Sequence, residues 1–390
     1  MLLSNPEFVQ NPYPIYSKLK KNRPLCFDEQ TKSWLVLSVD IAKQIISNEE
    51  DFTCISAERL AKLGKGNSFF ENFLKNWFLY QDKDKHRFFR RTVGAYFTPK
   101  KLVEIKGFIK EISESVLVEL PPEEFNFITK YASRIAVEVL CKMLGVAKPD
   151  KSKITNLVNI MASFIYFPKE AKDIRKFSFG AEALHQYITE VIKEQNYTDN
   201  GVISYLIELQ KKGAFTREEV IYNILLFFVA GAETPRSGIT NCFVELQNDL
   251  KSQEAFLSNK EMQNNYVDEI LRIEAPISYI SRTNKKQEVI NGITIPKGSH
   301  IVIMVNAVNH DTSLYSNPER IDFNRSKGKF YTFGDGIHSC LGYHLAKLEI
   351  EVALDTILSK YPNWKIDADR KWIPRFGLRT FEKLIVKQVD

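Results

Sequence analysis

Apolar residues recur every three to four positions along much of this chain. Leu102, Ile105, Phe108, Ile109, Ile112 and Val116 fall on one face of a helix predicted over 101–120. The same rhythm predicts helices over 131–144, 181–195 and 343–358. From Glu218 to about Leu246 a single, very long helix is expected, apolar on almost every side near Ile224–Val229. A helix of that kind runs through the middle of a large core. Two short apolar runs, Trp34–Leu37 and Ile301–Val305, are expected to be strands. No repeat, low-complexity stretch or linker divides the sequence. The expectation is one mainly α domain with small β-sheets, spanning 1–390.

Composition sharpens this picture. Seventeen Gly and fifteen Pro in 390 residues are few turn formers, which argues against a barrel or sandwich of many short strands. A hydrophobic share of 44% rules out global disorder. The net charge of +6 is spread without a block of like charges, so no nucleic-acid partner is expected, although a basic surface for an acidic protein fits. Five scattered Cys do not form a disulfide framework and point to a reducing, cytoplasmic setting. Met1–Pro6 turns polar at once, and the run Ile224–Ala230 is far shorter than the roughly 20 residues of a membrane-spanning helix. A soluble protein with no membrane segment is expected.

The richest stretch is Phe333-Gly334-Asp335-Gly336-Ile337-His338-Ser339-Cys340-Leu341-Gly342. Its glycines leave room for a flat group to approach the backbone. Cys340 stands just ahead of the helix predicted over 343–358, where backbone N–H groups and the helix dipole favour thiolate. The string resembles the haem-binding loop of the cytochrome P450 family, Phe-Gly-x-Gly-x-His/Arg-x-Cys-x-Gly. The resemblance implies that Cys340 is the axial thiolate of haem b, iron protoporphyrin IX, and that His338 bonds a haem propionate. Phe333 and Gly334 then belong to the cofactor cradle.

Four further segments resemble the family in the same order. Ala230-Gly231-Ala232-Glu233-Thr234, inside the apolar helix, is similar to its oxygen-binding groove. There small Ala230 and Gly231 leave a gap for O₂, and Glu233 with Thr234 relays protons. A Thr bonded back to a helix carbonyl is the plainer alternative. Pro235 departs from the family pattern and is expected to bend or widen the groove. Glu269-Ile270-Leu271-Arg272 resembles the family's Glu-x-x-Arg, with Arg320 as the partnering Arg, all three structural ions. Pro276–Arg282 resembles a pocket-lining segment ending in the propionate-binding Arg282. Asp82–Arg91, ahead of Phe97-Thr98-Pro99, resembles the segment in which His86 and Arg90 grasp propionates.

The resemblance implies the P450 fold, with haem between the long central helix and the cysteine loop. It also implies reductive activation of O₂, with electrons from NAD(P)H through a separate ferredoxin or flavodoxin and its reductase. Lys83, Lys85, Arg87, Arg91, Lys327 and Lys329 are the candidate dock for that partner, and a monomer is expected. The substrate is expected to be hydrophobic, either a small molecule of secondary metabolism or a group presented by a carrier protein. Ile277, Tyr279, Ile280, Phe78, Phe167 and Leu378 are candidate pocket residues. Hydroxylation, epoxidation, desaturation and oxidative coupling all remain compatible with the sequence.

Overall fold

Thr216 opens the longest helix by a reciprocal cap: its hydroxyl accepts the Glu219 N–H at 3.2 Å, and the Glu219 carboxylate accepts the Thr216 N–H at 3.0 Å. The computed structural model describes residues 3, 5–54, 60, 62, 64–81, 83–97, 99–325, 328–362 and 364–388, without the side chains of residues 83 and 99.

The helices that frame the site are α1 (Lys83–Gly94), α2 (Pro99–Val118), α3 (Ser133–Leu144), α4 (Ala171–Lys193), α5 (Arg217–Asn248), α6 (Gln263–Ile273) and α7 (Tyr343–Lys360). The predicted helices are all present, with α4 starting ten residues earlier than its apolar rhythm indicates. It starts there because Glu170 and Asp173 form a capping box of their own. Helix α5 continues through Pro235 without interruption. The missing Pro235 N–H leaves the Gly231 carbonyl without its intrahelical donor.

Strands β1 (Leu25–Asp28), β2 (Ser33–Val36), β3 (Phe52–Thr53), β4 (Tyr279–Asn284) and β5 (His300–Met304) form one sheet in the order β1-β2-β5-β4-β3. Strands β2 and β5 run parallel, with Trp34 opposite Ile301. Strands β4 and β5 are antiparallel, with Tyr279 opposite Met304 and Arg282 opposite Ile301. A small sheet of Glu124–Asn126, Ile385–Lys387 and Lys365–Ile366 lies apart from it.

Helix α5 runs between two cores. On one side its residues join Phe70, Phe73, Trp77, Phe164 and Phe177, with Phe70 stacked on Phe73 and the other ring pairs edge-on or tilted. On the other they join α2, α3, α6 and α7, with Phe127 stacked on Phe243 at 4.0 Å. The α5–α7 crossing is close enough that a Cβ on Gly238 would stand 2.6 Å from Ile350 Cδ1. The segment after Trp77 is pinned to α5: Trp77 Nε1 donates to the Tyr222 carbonyl at 2.9 Å, and the Phe78 N–H donates to Asn223 Oδ1 at 3.0 Å.

Candidate active site

Gly334 and Gly336 take the left-handed backbone, at φ +69° and +66°, where a side chain would be strained. These turns fold the cysteine loop on itself. The Cys340 N–H donates to the Phe333 carbonyl at 2.7 Å, and the Gly334 N–H to that of Tyr331 at 2.9 Å. Phe333 is braced edge-on against Tyr343 at 4.6 Å. Helix α7 begins two residues past Leu341, with Gly342 at its N-cap. Burial pushes the Cys340 thiol above its ordinary pKa, while the Gly342 N–H and Arg90 pull the other way.

A buried ionic cluster holds the start of this loop. Arg272 grips both oxygens of Glu269, at 2.7 and 2.8 Å, and donates to the carbonyls of Asn309 and Pro318. The side chain of Asn309 in turn reaches the Thr332 hydroxyl and the Tyr331 N–H. The second cation is Arg325, whose Nε lies 3.1 Å from Glu269 Oε1. Arg320 was expected in that place. Its side chain is exposed, and only its carbonyl joins the network, because the turn after Asn317 sends the side chain outward.

Between the cysteine loop and α5 lies a cavity of about 390 Å³. Cys340, Phe333, Gly334 and His338 line it on one side, and Ala230, Thr234 and Pro235 on the side of α5. Ile277, Tyr279, Ile280 and Arg282 supply another wall, with Trp77, Leu79, Tyr80 and Phe164 beyond. The lining is mostly carbon, which suits a hydrophobic guest. Arg282 is 6% exposed, and its Nη1 donates to the Ser281 carbonyl. It has no carboxylate within ion-pair distance among the described residues. A desolvated guanidinium facing a cavity calls for an anion. With a soft cysteine sulfur on the same cavity, these residues fit a haem, which Cys340 would hold through its iron and Arg282 through a propionate.

The cytochrome P450 family model matches residues 25–381. The chain belongs to the cytochrome P450 family. Among P450 relatives, the biotin biosynthesis cytochrome P450 of Bacillus subtilis is 26% identical over 97% of both chains. The polyketide biosynthesis cytochrome P450 PksS of the same species is also 26% identical, over 97% of this chain and 96% of that one. The solved P450BioI, in complex with an acyl carrier protein ligated to hexadec-9Z-enoic acid, superposes with a TM-score of 0.90 at 26% identity, covering 98% and 99% of the two chains. As a P450 this chain is an oxidoreductase, a monooxygenase dependent on haem and O₂ that requires a redox partner. No described helix is long and apolar enough to cross a membrane.

The remaining P450 motifs are distributed less simply than their spacing suggests. Thr234 lines the cavity, but its hydroxyl donates back to the Ala230 carbonyl at 2.6 Å. Glu233 is buried outside the cavity lining and paired with Arg236, which also reaches Asn159. Burial raises the Glu233 carboxyl pKa, and Arg236 opposes that rise. Gly231 does not open a groove: a Cβ there would stand 3.0 Å from Leu140 of α3, so its smallness serves helix packing.

Of the four expected propionate contacts, Arg282 and His338 line the cavity, whereas His86 and Arg90 lie behind it. His86 is packed between Phe78 and His338, with ring centroids 5.6 and 4.1 Å away. Arg90 donates to the Ser339 carbonyl at 2.5 Å and so ties α1 to the cysteine loop. Ile277, Tyr279 and Ile280 line the cavity as expected from the sequence. Phe78, Phe167 and Leu378 do not: Phe78 stacks on Phe89 at 4.2 Å, Phe167 packs on Tyr279 and His300, and Leu378 is buried against Ile277. Each is core, because an apolar residue type does not distinguish core from cavity wall.

The basic dock is also altered. Lys85 pairs with Glu219 and Arg87 with Glu49, each at 2.7 Å, and Lys329 pairs with Asp335 at 2.5 Å. Asp82, Thr98, Lys327 and the Lys83 side chain lie outside the described residues. A contributor with no signal in the sequence is Lys169, which lines the cavity and donates to the Tyr279 hydroxyl at 2.7 Å.

Proposed function

We propose that the Cys340 thiolate would hold the iron of a haem b and that this chain, as one domain, oxygenates a hydrophobic organic substrate in the cavity beneath α5. The observation carrying this reading is the placement of Cys340 and Thr234 on one mostly apolar cavity with the buried cation Arg282 at its side. Haem held there supplies the reductive activation of O₂. The chain's own residues do the rest. Arg282 and His338 hold propionates, and His86 and Arg90 support His338 and the loop from behind. Ala230 leaves space beside α5, and Thr234 presents a hydroxyl where a proton is to be moved. Trp77, Phe164, Ile277 and Ile280 exclude water and position the substrate. Glu269, Arg272 and Arg325 lock the loop.

Electrons come from NAD(P)H through a ferredoxin or flavodoxin and its reductase to a monomeric enzyme in the cytoplasm. A role in secondary metabolism is supported by the likeness to PksS. A second reading, an acyl group delivered by a carrier protein, is favoured by the likeness to P450BioI in its acyl-carrier complex. The test is the optical spectrum of the purified, haem-loaded protein, reduced and exposed to carbon monoxide. A strongly red-shifted Soret band that disappears in Cys340→Ser is the expected result. A band unaffected by that substitution would remove Cys340 as the ligand.

A further inference from the structure

Lys169 sits where a cation has little reason to be. It follows the aromatic segment Phe164–Phe167 and contributes to the cavity wall. Its ammonium lies over the rings of Phe164 and Tyr279, 5.0 and 5.4 Å from their centroids. It donates to the Tyr279 hydroxyl at 2.7 Å and approaches the Tyr166 carbonyl at 3.4 Å. Tyr279 passes its own hydrogen to the Ile165 carbonyl at 3.0 Å. The neighbouring carboxylate, Asp173, is taken by both guanidinium nitrogens of Arg375, at 2.6 and 2.8 Å. Among the described residues Lys169 forms no ion pair.

An ammonium has three hydrogens to donate. Two are directed at Tyr279 and Tyr166, and the third has no acceptor among the described residues. Lys169 is half-buried, and withdrawing an uncompensated cation from water carries a cost that an apolar side chain in this wall would not. Arg282 lies three residues past Tyr279 on β4, roughly 10 Å along the strand. Lys169 is hydrogen-bonded to Tyr279, whereas Arg282 donates to the Ser281 carbonyl.

We propose that Lys169, oriented by Tyr279, is an anion subsite of the substrate cavity that takes the carboxylate of an otherwise hydrophobic acid. This assignment rests on the reading of the cavity as the substrate pocket of a haem-thiolate oxygenase. One cation with one remaining donor matches a singly charged carboxylate. A phosphate dianion would leave a charge unmet in an apolar wall. The subsite also fixes direction, since a chain anchored at Lys169 extends along the apolar wall with its far carbons toward Cys340 and Thr234.

Burial lowers the Lys169 pKa to about 7, with Asp173 opposing and Arg375 reinforcing the shift. The tyrosines beside it, Tyr279 and Tyr166, and Tyr80 on the same cavity, have pKa values raised by burial and stay neutral at that pH. A bound carboxylate restores the proton, so acid binding takes up a proton and weakens as pH rises through about 7.

The test uses the haem-loaded enzyme, titrated calorimetrically with straight-chain acids of ten to sixteen carbons and with their methyl esters. At least one acid is expected to bind about tenfold or more tightly than its ester, the strength of a charged hydrogen bond in an apolar site. Lys169→Met should abolish that preference and its pH dependence while changing ester binding less than about twofold, and Lys169→Arg should restore it. The Soret and carbon monoxide bands are recorded on every variant. Wild-type bands with no acid preference in the series, or a preference that survives Lys169→Met, overturn the subsite. Loss of haem from Lys169→Met also overturns it, since the ammonium would then belong to the cofactor cradle. Absence of the red-shifted band from the wild type counts instead against the haem-thiolate reading.

Discussion

Arg325 Nε lies 3.1 Å from Glu269 Oε1, on a carboxylate that Arg272 already holds through both oxygens. Arg272 is 1% exposed, so this carboxylate neutralises a cation that water cannot reach. Removing one partner of a buried pair costs about 3–5 kcal/mol, and Glu269→Gln should lose that much. Arg325→Ala leaves the Glu269–Arg272 pair intact and should cost about 1–2 kcal/mol. Arg320→Ala, at an exposed side chain, should stay within about 0.5 kcal/mol of wild type. Urea midpoints of the three variants check the order. An Arg320 effect equal to that of Arg325 would return Arg320 to the cluster.

Thr234 faces the cavity and Glu233 does not, so the two should separate under mutation. Thr234→Val keeps the side-chain volume and deletes the hydroxyl. It should leave haem content unchanged and lower product formed per electron by about tenfold or more, since a lost proton-transfer group typically slows its step by about 10²–10⁴-fold. Glu233→Gln keeps the shape of the group paired with Arg236 and should lower that yield less. Electron consumption measured against product decides between them. A larger loss in Glu233→Gln would mean that the Glu233–Arg236 pair opens toward the cavity during turnover.

What could be read from the sequence depended on whether the chemistry was local. The cysteine loop is contiguous, and its two left-handed glycines are needed by its own turns, so Cys340 and His338 were recognisable without a fold. The central helix was equally legible from its apolar girth, which announces its burial, while its exact start is fixed by the Thr216–Glu219 cap. The start of α4 was not, because its cap is Glu170 with Asp173 and lacks the usual Ser or Thr. The choice between Arg320 and Arg325 is made by a turn around Asn317, which holds φ +46°. Gly231 reads the same whether it faces oxygen or Leu140. Lys169 owes its surroundings to Tyr279, 110 residues away in the chain, so no local pattern could have marked it.

Glu349 of α7 is 2% exposed, and its Oε1 has no hydrogen-bond partner among the described residues. Burial raises its pKa well above the ordinary carboxylate value. The folded protein therefore keeps a proton that the unfolded chain releases near pH 4.3. Above that pH the native state binds more protons than the unfolded state, and stability falls as pH rises toward the folded pKa. Glu349→Gln removes this slope. It should be more stable than wild type at pH 7.5 by on the order of 1 kcal/mol or more, with the gap closing toward pH 4.5. Urea midpoints at the two pH values test this. A gap that is the same at both would mean that Glu349 is ionised and partnered.

Arg91 stands one turn beyond Arg87 on α1, the helix that Arg90 ties to the carbonyl beside Cys340. It is exposed and forms no ion pair among the described residues, whereas Lys85, Arg87 and Lys329 each have a carboxylate. A charge already paired adds little to the field an incoming protein feels, and an unpaired one adds its full share. Reversal at Arg91 should therefore slow reduction by an acidic ferredoxin more than reversal at Lys85. The expected loss for Arg91→Glu is about fivefold at low ionic strength, shrinking as salt shortens the screening length to about 8 Å. Stopped-flow reduction across a salt series measures it. Lys85→Glu also strands Glu219, so its rate should be compared with that of Lys85→Ala. Equal rates for wild type and Arg91→Glu would place the electron donor on another face, away from α1.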